Sequence, residues 1–329
     1  MQLSFYVKKL AAMIRDVSAE TDYSRPALLW AYTLAFLRCG VSIDEFRICR
    51  LYDYSGHVQA KHFMTSGRSI RAGDMLCRNA TQEELDSFGK KERFNALFSD
   101  RVRRDWVFAQ EADREELRAF LDRNDTFLAK ETESTQGKNI TLWRAGEFDP
   151  EAFLDEYTGS HYVLEAFIRQ HPAMSSLNPT SVNTVRLITA GYRGRITIIG
   201  GCLRTGGVSA FVDNFHSGGI AFPLDLSSGI VSGPGRDFAG KRYIRHPATD
   251  AVVPGFTVPH WDVVTAAVTE AAARIPNVGY IGWDVAVTED GVEFVEGNVC
   301  YPDHTLIQID RVDAWKRVRD FMKECDAGA

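Results

Sequence analysis

The chain has 329 residues, 45% of them hydrophobic and 25% charged, which is the balance of an ordinary soluble globular protein and enough material for about two domains. With 38 lysines and arginines against 44 acidic residues, its net charge is −6, and this argues against general nucleic-acid binding, which depends on basic surfaces. The densest basic run, at positions 101, 103 and 104, is short and lies among acids, so it is interpreted as a solvated face.

The first hundred residues are predicted to be mainly helical. Pro26 suits the first turn of a helix, and the uncharged apolar run over residues 27–37 is interpreted as a buried helix, because spanning a bilayer takes about 20 residues. Thr81 with Glu84 three residues later is a capping-box pattern, which predicts the start of a helix over residues 82–98.

From residue 126 onward the sequence is rich in predicted strands. They lie over residues 126–130, 140–143, 162–168, 184–190, 195–204, 280–287 and 292–297. A helix is predicted over residues 261–275, because Val264, Ala267 and Val268 share one helical face, and a last helix closes the chain. This order predicts an α+β protein with antiparallel sheets and argues against the repeating βαβ units of a Rossmann domain.

The most informative segment is a hairpin near the end of the chain. Its Asp290-Gly291 pair is a turn signal, and with a three-residue loop over 289–291 Asp284 faces Glu296 directly. Asn298 lies two residues further and therefore on the same face as Glu296. Two carboxylates so placed repel each other unless a cation lies between them, and hard oxygen ligands suit Mg²⁺ or Mn²⁺. The alternative is a surface hairpin with a chance acidic pair.

A lysine and a small loop give a second, weaker signal. Lys130 ends an otherwise apolar strand, so its ammonium group must find an anion or reach solvent. The following loop over residues 134–138 could offer backbone N–H groups to phosphates, although it matches neither the P-loop pattern nor the dinucleotide fingerprint. A plain hairpin turn explains this loop equally simply.

Together these segments resemble the ATP-grasp superfamily, in particular its sugar-transfer-associated branch, with glutamate-adding ligases as more distant relatives. The resemblance covers roughly residues 60–310. Its motifs are Asn-Thr-Val-Arg at 183–186, Asp-Asn-Phe-His-Ser-Gly-Gly at 213–219, His-Pro at 246–247, Pro-His-Trp at 259–261 and the hairpin at 280–298. The spacing of Asp284, Glu296 and Asn298 is that of the ATP-grasp metal site.

The resemblance implies an ATP-grasp fold, in which two α+β subdomains grip ATP. A mainly helical N-terminal region over residues 1–100 would precede a small subdomain with a phosphate flap at 101–168 and a large subdomain with the metal site at 169–329. Many members of the superfamily begin with a Rossmann-like domain. Because the first 80 residues here read as helical, the substrate-binding elements of that domain cannot be transferred.

The resemblance also implies which residues bind ATP. Lys91 resembles the first ATP lysine, although a surface helix position explains it too, and Lys130 resembles the second, which touches the α- and β-phosphates. The mobile flap over the phosphates would comprise the loop residues Ser134, Gln136, Gly137 and Lys138. The adenine hinge would comprise Glu165, Ala166, Phe167 and Ile168, with the Glu165 side chain and the backbone near Phe167 reading the adenine edge. This segment also fits a core strand. His171 is either a ribose contact or an exposed loop residue.

The catalytic and metal-binding residues follow from the same resemblance. Arg204 would stabilise a developing phosphoryl or tetrahedral anion, and Arg186 would hold a phosphate or a substrate carboxylate. A surface salt bridge is the alternative interpretation of Arg204, and the catalytic role is the favoured one. Asn214 would approach the transferring phosphoryl group beside a Ser-Gly-Gly turn. His246 would be an acid or base on the substrate side, or a structural histidine. Asp284, Glu296 and Asn298 would bind Mg²⁺, with two ions expected and Mn²⁺ as a substitute.

Two functions are consistent with this site. The first is an ADP- and phosphate-forming carboxylate–amine ligase, which activates a small-molecule or peptide carboxylate as an acyl phosphate for attack by an amine or other nucleophile, in natural-product, peptide or glycan biosynthesis. The second is a phosphotransferase acting on a hydroxyl of a sugar or other small molecule, with His246 or Asp213 as the base. An ATP-binding module without catalysis is disfavoured, because the metal ligands and Arg204 are all present.

The cysteines and the N-terminus indicate the compartment. The six cysteines are scattered, with no CxxC pair and no zinc-site spacing, which is typical of thiols in a reducing compartment. The first residues lack the basic and apolar regions of a signal peptide. The sequence therefore predicts a cytoplasmic protein with no membrane span and no nucleic-acid partner.

Overall fold

The structure is a computed structural model that describes residues 2–54, 61–133, 140–208, 213, 215, 218–309 and 313–328. Five of the predicted site residues lie outside the described residues, so their roles stay predictions: Ser134, Gln136, Gly137, Lys138 and Asn214.

Helices and strands alternate irregularly along the chain. The helices are α1 Gln2–Glu20, α2 Arg25–Cys39, α3 Ile43–Ile48, α4 Ser66–Leu76, α5 Gln82–Gly89, α6 Lys91–Leu97, α7 Arg114–Arg123, α8 Pro150–Tyr157, α9 Pro172–Ser175, α10 Trp261–Ala273 and α11 Ala314–Ala327. The strands are β1 Trp106–Phe108, β2 Thr126–Glu131, β3 Ile140–Arg144, β4 Tyr162–Ala166, β5 Thr184–Tyr192, β6 Arg195–Thr205, β7 Ile220–Pro223, β8 Gly235–Arg236, β9 Arg242–Tyr243, β10 Tyr280–Thr288 and β11 Gly291–Val299.

The strands form two sheets. The small sheet has the order β1-β4-β2-β3 and the large sheet has the order β11-β10-β5-β6-β7-β8-β9. Neighbouring strands in both sheets are antiparallel. The predicted α+β class with antiparallel sheets is therefore confirmed. None of the helices in the described part of the chain combines the length and the apolar character that crossing a bilayer requires.

The N-terminal region is helical, as predicted, but its helices belong to more than one core. Helices α1–α3 contribute Met13, Leu28 and Phe46 to a cluster that also contains Cys202 and Ala221 of the large sheet. The predicted single helix over 82–98 is wrong, because Lys90 adopts an extended backbone and divides it into α5 and α6. The phenyl rings of Phe88 and Phe98 in this part of the chain pack edge-on against Trp283 of the large sheet. The three-part division of the chain stays a proposal.

The β10–β11 hairpin differs from the predicted one in its turn. Thr288 pairs with Gly291, so the loop has two residues rather than three. By itself, this shorter loop would shift the pairing of the two strands by one residue. The side chains of Asp284 and Glu296 would then lie on opposite faces of the sheet. A β-bulge restores the alignment, because Val285 pairs with Phe294 whereas Asp284 pairs with Glu296. The predicted pairing of the two carboxylates is thus confirmed, although the turn that was expected to produce it is wrong.

Candidate active site

The two sheets and the N-terminal helices line one cavity of about 690 Å³. The small sheet and its continuation contribute Leu128, Lys130, Ile140, Glu165, Ala166 and Ile168. The large sheet contributes Thr184, Arg186, Arg204, Asp284, Val295, Glu296 and Asn298. A third wall comes from α3, α4 and the segment over residues 301–306 that follows β11. The cavity therefore brings together predicted site residues that are up to about 200 positions apart in the chain.

The small sheet holds a buried cluster of charges. Lys130 Nζ donates to Glu165 Oε2 at 2.6 Å, and Arg104 Nε donates to the same oxygen at 2.9 Å. Asn95 Nδ2 donates to the other carboxylate oxygen at 2.9 Å. Burial alone would raise the pKa of Glu165, but the charges of Arg104 and Lys130 outweigh it and hold that pKa below its usual range. The Glu165 carboxylate is thus the anion that the sequence predicted for the Lys130 ammonium group.

This cluster changes the roles expected for two residues. The Glu165 carboxylate already binds two cations and an amide, so reading of an adenine edge falls to the backbone near Ala166 and stays a prediction. Arg104 is not part of a solvated face, as the sequence had suggested. Its side chain is buried and also donates to the backbone oxygen of Phe294 at 2.8 Å. It therefore ties the small sheet to the large one.

Lys91 lies at the N-terminus of α6 and reaches the cavity from the side of the small sheet. Its Nζ donates to the backbone oxygens of Glu131 at 2.8 Å and Thr132 at 3.2 Å. Burial and the nearby Lys130 lower its pKa, against the opposing effect of Glu296. Lys91 and Lys130 together supply positive charge to this part of the cavity.

A row of charged side chains crosses four neighbouring strands of the large sheet. Arg186 on β5 is the direct cross-strand partner of Asp284 on β10, which in turn faces Glu296 on β11. The Arg186 guanidinium binds the Asp284 carboxylate through both Nε and Nη2. Arg204 on β6 donates from Nη1 to Asp284 Oδ2 at 2.7 Å. The four strands thus bring two guanidinium groups and two carboxylates to one edge of the cavity.

The two arginines govern the protonation of Asp284. Burial acts to raise the Asp284 pKa, but the charges of Arg186 and Arg204 outweigh burial and hold that pKa below its usual range. In turn, the nearby carboxylates of Asp213 and Asp284 outweigh burial at Arg204 and raise the pKa of its guanidinium. All three side chains are therefore ionised at neutral pH, and the surface salt bridge considered for Arg204 is wrong because the residue is buried.

Asp213 completes this group on the far side of Arg204. It accepts a hydrogen bond from Arg204 Nη2 at 3.0 Å and another from the Thr184 hydroxyl. Burial raises its pKa, and the attraction of Arg204 opposes that effect. Arg204 Nε is buried without a hydrogen-bond partner among the described residues. Arg204 therefore retains one donor beyond those that bind the two aspartates.

The predicted metal ligands can be tested as a donor set. Across the part of the chain that the structure describes, no three His, Cys, Asp or Glu side chains form a metal-binding group. The hairpin instead offers two carboxylates and an amide. The Glu296 side chain is 51% exposed, and Asn298 Nδ2 donates to its Oε1 at 3.2 Å, which leaves the amide oxygen as a ligand. These hard oxygens fit Mg²⁺, and Asp284 would then be shared between the metal and the two arginines.

The two carboxylates of this set, Asp284 and Glu296, have pKa values that are shifted in opposite directions. Partial burial and the nearby Asp284 carboxylate raise the pKa of Glu296, whereas Arg186 acts in the opposite direction. The Arg186 Nη2 atom lies 4.0 Å from Glu296 Oε1, beyond a hydrogen bond. Glu296 is therefore the carboxylate that gains most from a cation, because no guanidinium already binds it closely.

Three predicted site residues do not line the cavity. His246 is buried, its Nε2 lies 2.9 Å from the Gly206 oxygen, and its Nδ1 accepts from the Ala248 backbone at 3.2 Å. Both ring nitrogens are thus used and burial lowers the His246 pKa, which favours the structural interpretation of this histidine over an acid or base role. His171 caps α9 through Nδ1 and packs against the His260 ring. The ribose contact predicted for His171 therefore stays a prediction. Phe167 binds the Thr126 oxygen through its backbone.

The third wall contains a pair that the sequence did not reveal. Glu45 on α3 accepts from the backbone N–H of Ser42 and Ser66, from the Ser66 hydroxyl, and from His304 Nε2 at 2.9 Å. Burial opposes ionisation, but the His304 and backbone hydrogen bonds lower the Glu45 pKa to about 2. The Ser42–Glu45 capping box was readable in the sequence, whereas the 259-residue separation of His304 left no local signal.

Comparisons with known proteins were made for both sequence and structure. Residues 154–320, just over half of the chain, match the family model described as sugar-transfer associated ATP-grasp. No curated protein sequence matches the chain.

Several solved structures are similar to this chain. The ADP complex of the N5-carboxyaminoimidazole ribonucleotide synthetase purK is 14% identical with a TM-score of 0.43, over 67% of this chain and 47% of that chain. A second structure is the ATP-grasp ligase PsnB complexed with a phosphomimetic variant of its minimal precursor, Mg and ADP. It is 13% identical to this chain, with a TM-score of 0.47, and the match covers 79% of this chain and 69% of that chain. D-alanine-D-alanine ligase from Helicobacter pylori is 12% identical with a TM-score of 0.46, over 73% and 62%. The chain spans about half the length of the first of these.

Proposed function

The chain belongs to the sugar-transfer associated ATP-grasp family, and from that premise we propose that it is an ATP- and Mg²⁺-dependent ligase. It would transfer the γ-phosphoryl group of ATP to a substrate carboxylate, releasing ADP, and an amine or other nucleophile would then displace phosphate from the acyl phosphate. The observation that carries this proposal is one cavity that contains two lysines on the small-sheet side and two buried arginines on the large-sheet side.

The lysine side of the cavity supports nucleotide binding. ATP carries several negative charges, and Lys91, Lys130 and Arg104 offer three cations there. Glu165 binds two of these cations, and Glu293 Oε2 lies 3.5 Å from Arg104. The apolar side chains of Leu128, Ile140 and Ile168 line the same region and would enclose an adenine ring. Adenine would be recognised by backbone groups near Ala166, since the Glu165 carboxylate is engaged.

The arginine side supports the chemistry of the second substrate. A carboxylate and a triphosphate repel each other, and Arg186 and Arg204 are fixed by Asp284 in positions that need no rearrangement during reaction. Arg204 lines the cavity, and its guanidinium group would stabilise a developing oxyanion. Glu296 and Asn298, with Asp284, would hold the metal, and Mg²⁺ when bound would neutralise phosphate charge. We retain two ions, with Mn²⁺ as a substitute, as part of the proposal.

Product analysis tests the proposed reaction. The protein is incubated with ATP, Mg²⁺ and pooled metabolites, and ADP and free phosphate are both measured. A ligase releases the two in equal amounts, and hydroxylamine traps the acyl phosphate as a hydroxamate when no nucleophile is present. If ADP forms without free phosphate and the product retains a stable phosphate ester, the ligase is excluded and a phosphotransferase takes its place.

The compartment and the substrate classes belong to the same proposal. The carboxylate and its acceptor would be small molecules or peptides, and the enzyme would work in the cytoplasm. The six cysteines support that compartment, because all of them are free thiols in the described residues.

A further inference from the structure

The hairpin of α1 and α2 presents large apolar side chains to solvent. Leu37 is 72% exposed, Phe5 70% and Trp30 66%. Leu29 and Phe36 are also exposed, and we call these five residues the hairpin face. Val7 is exposed too, but it lies about 200° from Phe5 around α1 and therefore on another side of that helix. Exposed apolar surface on this scale ordinarily marks an interaction site.

The hairpin face is not required to hold the helices in place. The opposite sides of the two helices are already buried, through Met13 and Val17 of α1 and Leu28 and Tyr32 of α2. The run over residues 27–37 was expected to be wholly buried, and only one side of it is. A helix with one side in the core normally carries polar residues on the other. In α2 the outer side is instead apolar, and its only charged residues are Arg25 and Arg38 at the two ends.

The charge on this hairpin has the opposite sign to the charge of the whole chain. Between residues 4 and 41 the five basic residues Lys8, Lys9, Arg15, Arg25 and Arg38 outnumber three acids, which gives +2, whereas the whole chain carries −6. The three acids lie within residues 16–22, at the connected end of the hairpin. No ion pair engages Lys8, Arg25 or Arg38 within the described residues.

The open end of the hairpin combines apolar and basic side chains. The hydroxyl groups of Tyr6 and Tyr32 contact each other, so the start of α1 packs along α2. Phe5 and Lys8 near the start of α1, and Leu37 and Arg38 near the end of α2, are among the residues furthest along the two helices from their connecting turn. Between residues 2 and 15, and again between 25 and 43, the sequence has no acidic residue.

We propose that the hairpin face docks on the surface of an anionic lipid bilayer. The helix α2 would lie in the plane of the headgroups, with Trp30 and Leu37 inserted at the boundary of the acyl chains and Arg25 and Arg38 beside lipid phosphates. A tryptophan on an apolar face with basic residues at the helix ends is the pattern of an interfacial helix. A second copy of the chain is the less favourable occupant, because a symmetric dimer through this face would bring two net-positive surfaces together.

Vesicle binding by the full chain tests the proposal. Vesicles of phosphatidylcholine alone are compared with vesicles that also contain phosphatidylglycerol, in a flotation assay and by tryptophan fluorescence. We expect binding to the anionic vesicles with a blue shift of the emission, and at least about tenfold weaker binding to neutral vesicles or at high salt. The double variant Trp30→Glu, Leu37→Glu should lose about tenfold or more in binding, since it places charge in the inserted part.

Two further variants keep the result interpretable. Ile244→Glu is the matched control, because Ile244 is 59% exposed and lies outside the hairpin, and it should bind as the wild type does. Arg38→Glu should weaken binding to anionic vesicles while leaving weak binding to neutral ones unchanged. All variants should retain the wild-type melting temperature, because the substituted side chains are exposed.

Three outcomes would overturn the proposal. The first is no binding of the wild type to anionic vesicles at low salt. The second is equal loss of binding in the double variant and in Ile244→Glu. The third is a wild-type dimer in light scattering that the double variant converts to a monomer, without vesicle binding, which would make a second copy the occupant of the hairpin face.

Discussion

The Arg186 guanidinium group on β5 donates from Nε and from Nη2 to the two carboxylate oxygens of Asp284 on the neighbouring strand β10. This pair fixes Asp284 at the edge of the cavity, and Arg204 adds a third hydrogen bond from the next strand. The arrangement keeps two cations in place before any substrate arrives. Loss of either arginine therefore affects both the charge in the cavity and the position of Asp284.

Arg204→Lys should lower kcat about 10²- to 10³-fold while ATP affinity stays within a few-fold. Lysine keeps the charge but cannot reach Asp284 and Asp213 together or reproduce the planar donors of the guanidinium. Single-turnover kinetics and nucleotide titration check the two quantities. The control is Arg245→Lys, whose ion pair with Asp250 is exposed, and it should leave both unchanged. An equal loss in kcat and in ATP affinity would assign Arg204 to nucleotide binding instead.

Glu296→Gln should abolish turnover and weaken Mg²⁺-dependent binding of ATP. The side chain is half exposed and does not hold the fold together, so the melting temperature should not change. Calorimetry with and without Mg²⁺ measures the difference. Glu289→Gln in the adjacent turn is the matched control, because Glu289 is exposed and lies outside the cavity. Normal turnover of Glu296→Gln at ordinary Mg²⁺ would remove the hairpin from the metal site.

Glu165→Gln should destabilise the protein by about 3–5 kcal/mol, because Lys130 and Arg104 would remain buried without their carboxylate. Chemical denaturation measures the free energy of unfolding. Glu151→Gln is the matched control, since Glu151 also binds two arginines but is 58% exposed, and it should lower the free energy of unfolding far less. Similar values for the two variants would show that the buried cluster is not a source of stability.

Glu45→Gln should show a pH-dependent loss of stability. The Glu45 pKa is about 2 in the folded protein against 4.5 as its ordinary value, a difference equivalent to about 3 kcal/mol. Because the folded-state pKa is the lower one, this stabilisation is complete above about pH 5 and is lost as the pH falls toward 2. Denaturation of both proteins across this range should therefore show a gap that is constant above pH 5 and narrows below it. Asp44→Asn, next in the chain and exposed, should give no such gap.

Much of the site could be read from the sequence because it depends on local patterns. The alternation of strands β10 and β11 placed Glu296 and Asn298 on one face, and the apolar neighbours of Lys130 required an anion for its ammonium group. The capping box at Thr81 also formed as predicted. Each of these features is decided within a few residues, so a period of two or a cap spacing is enough to reveal it.

The tertiary structure decided how those features meet. It placed Arg104 and Glu165 together in the interior, gave Glu45 its partner His304, and fixed the two nitrogens of His246 on the backbone. It also set the hairpin register, in which the bulge between Asp284 and Val285 compensates for a turn one residue shorter than expected. These contacts join residues far apart in the chain, and which charges pair depends on what each sheet buries. No local pattern encodes that choice, because burial is a property of the whole packed structure.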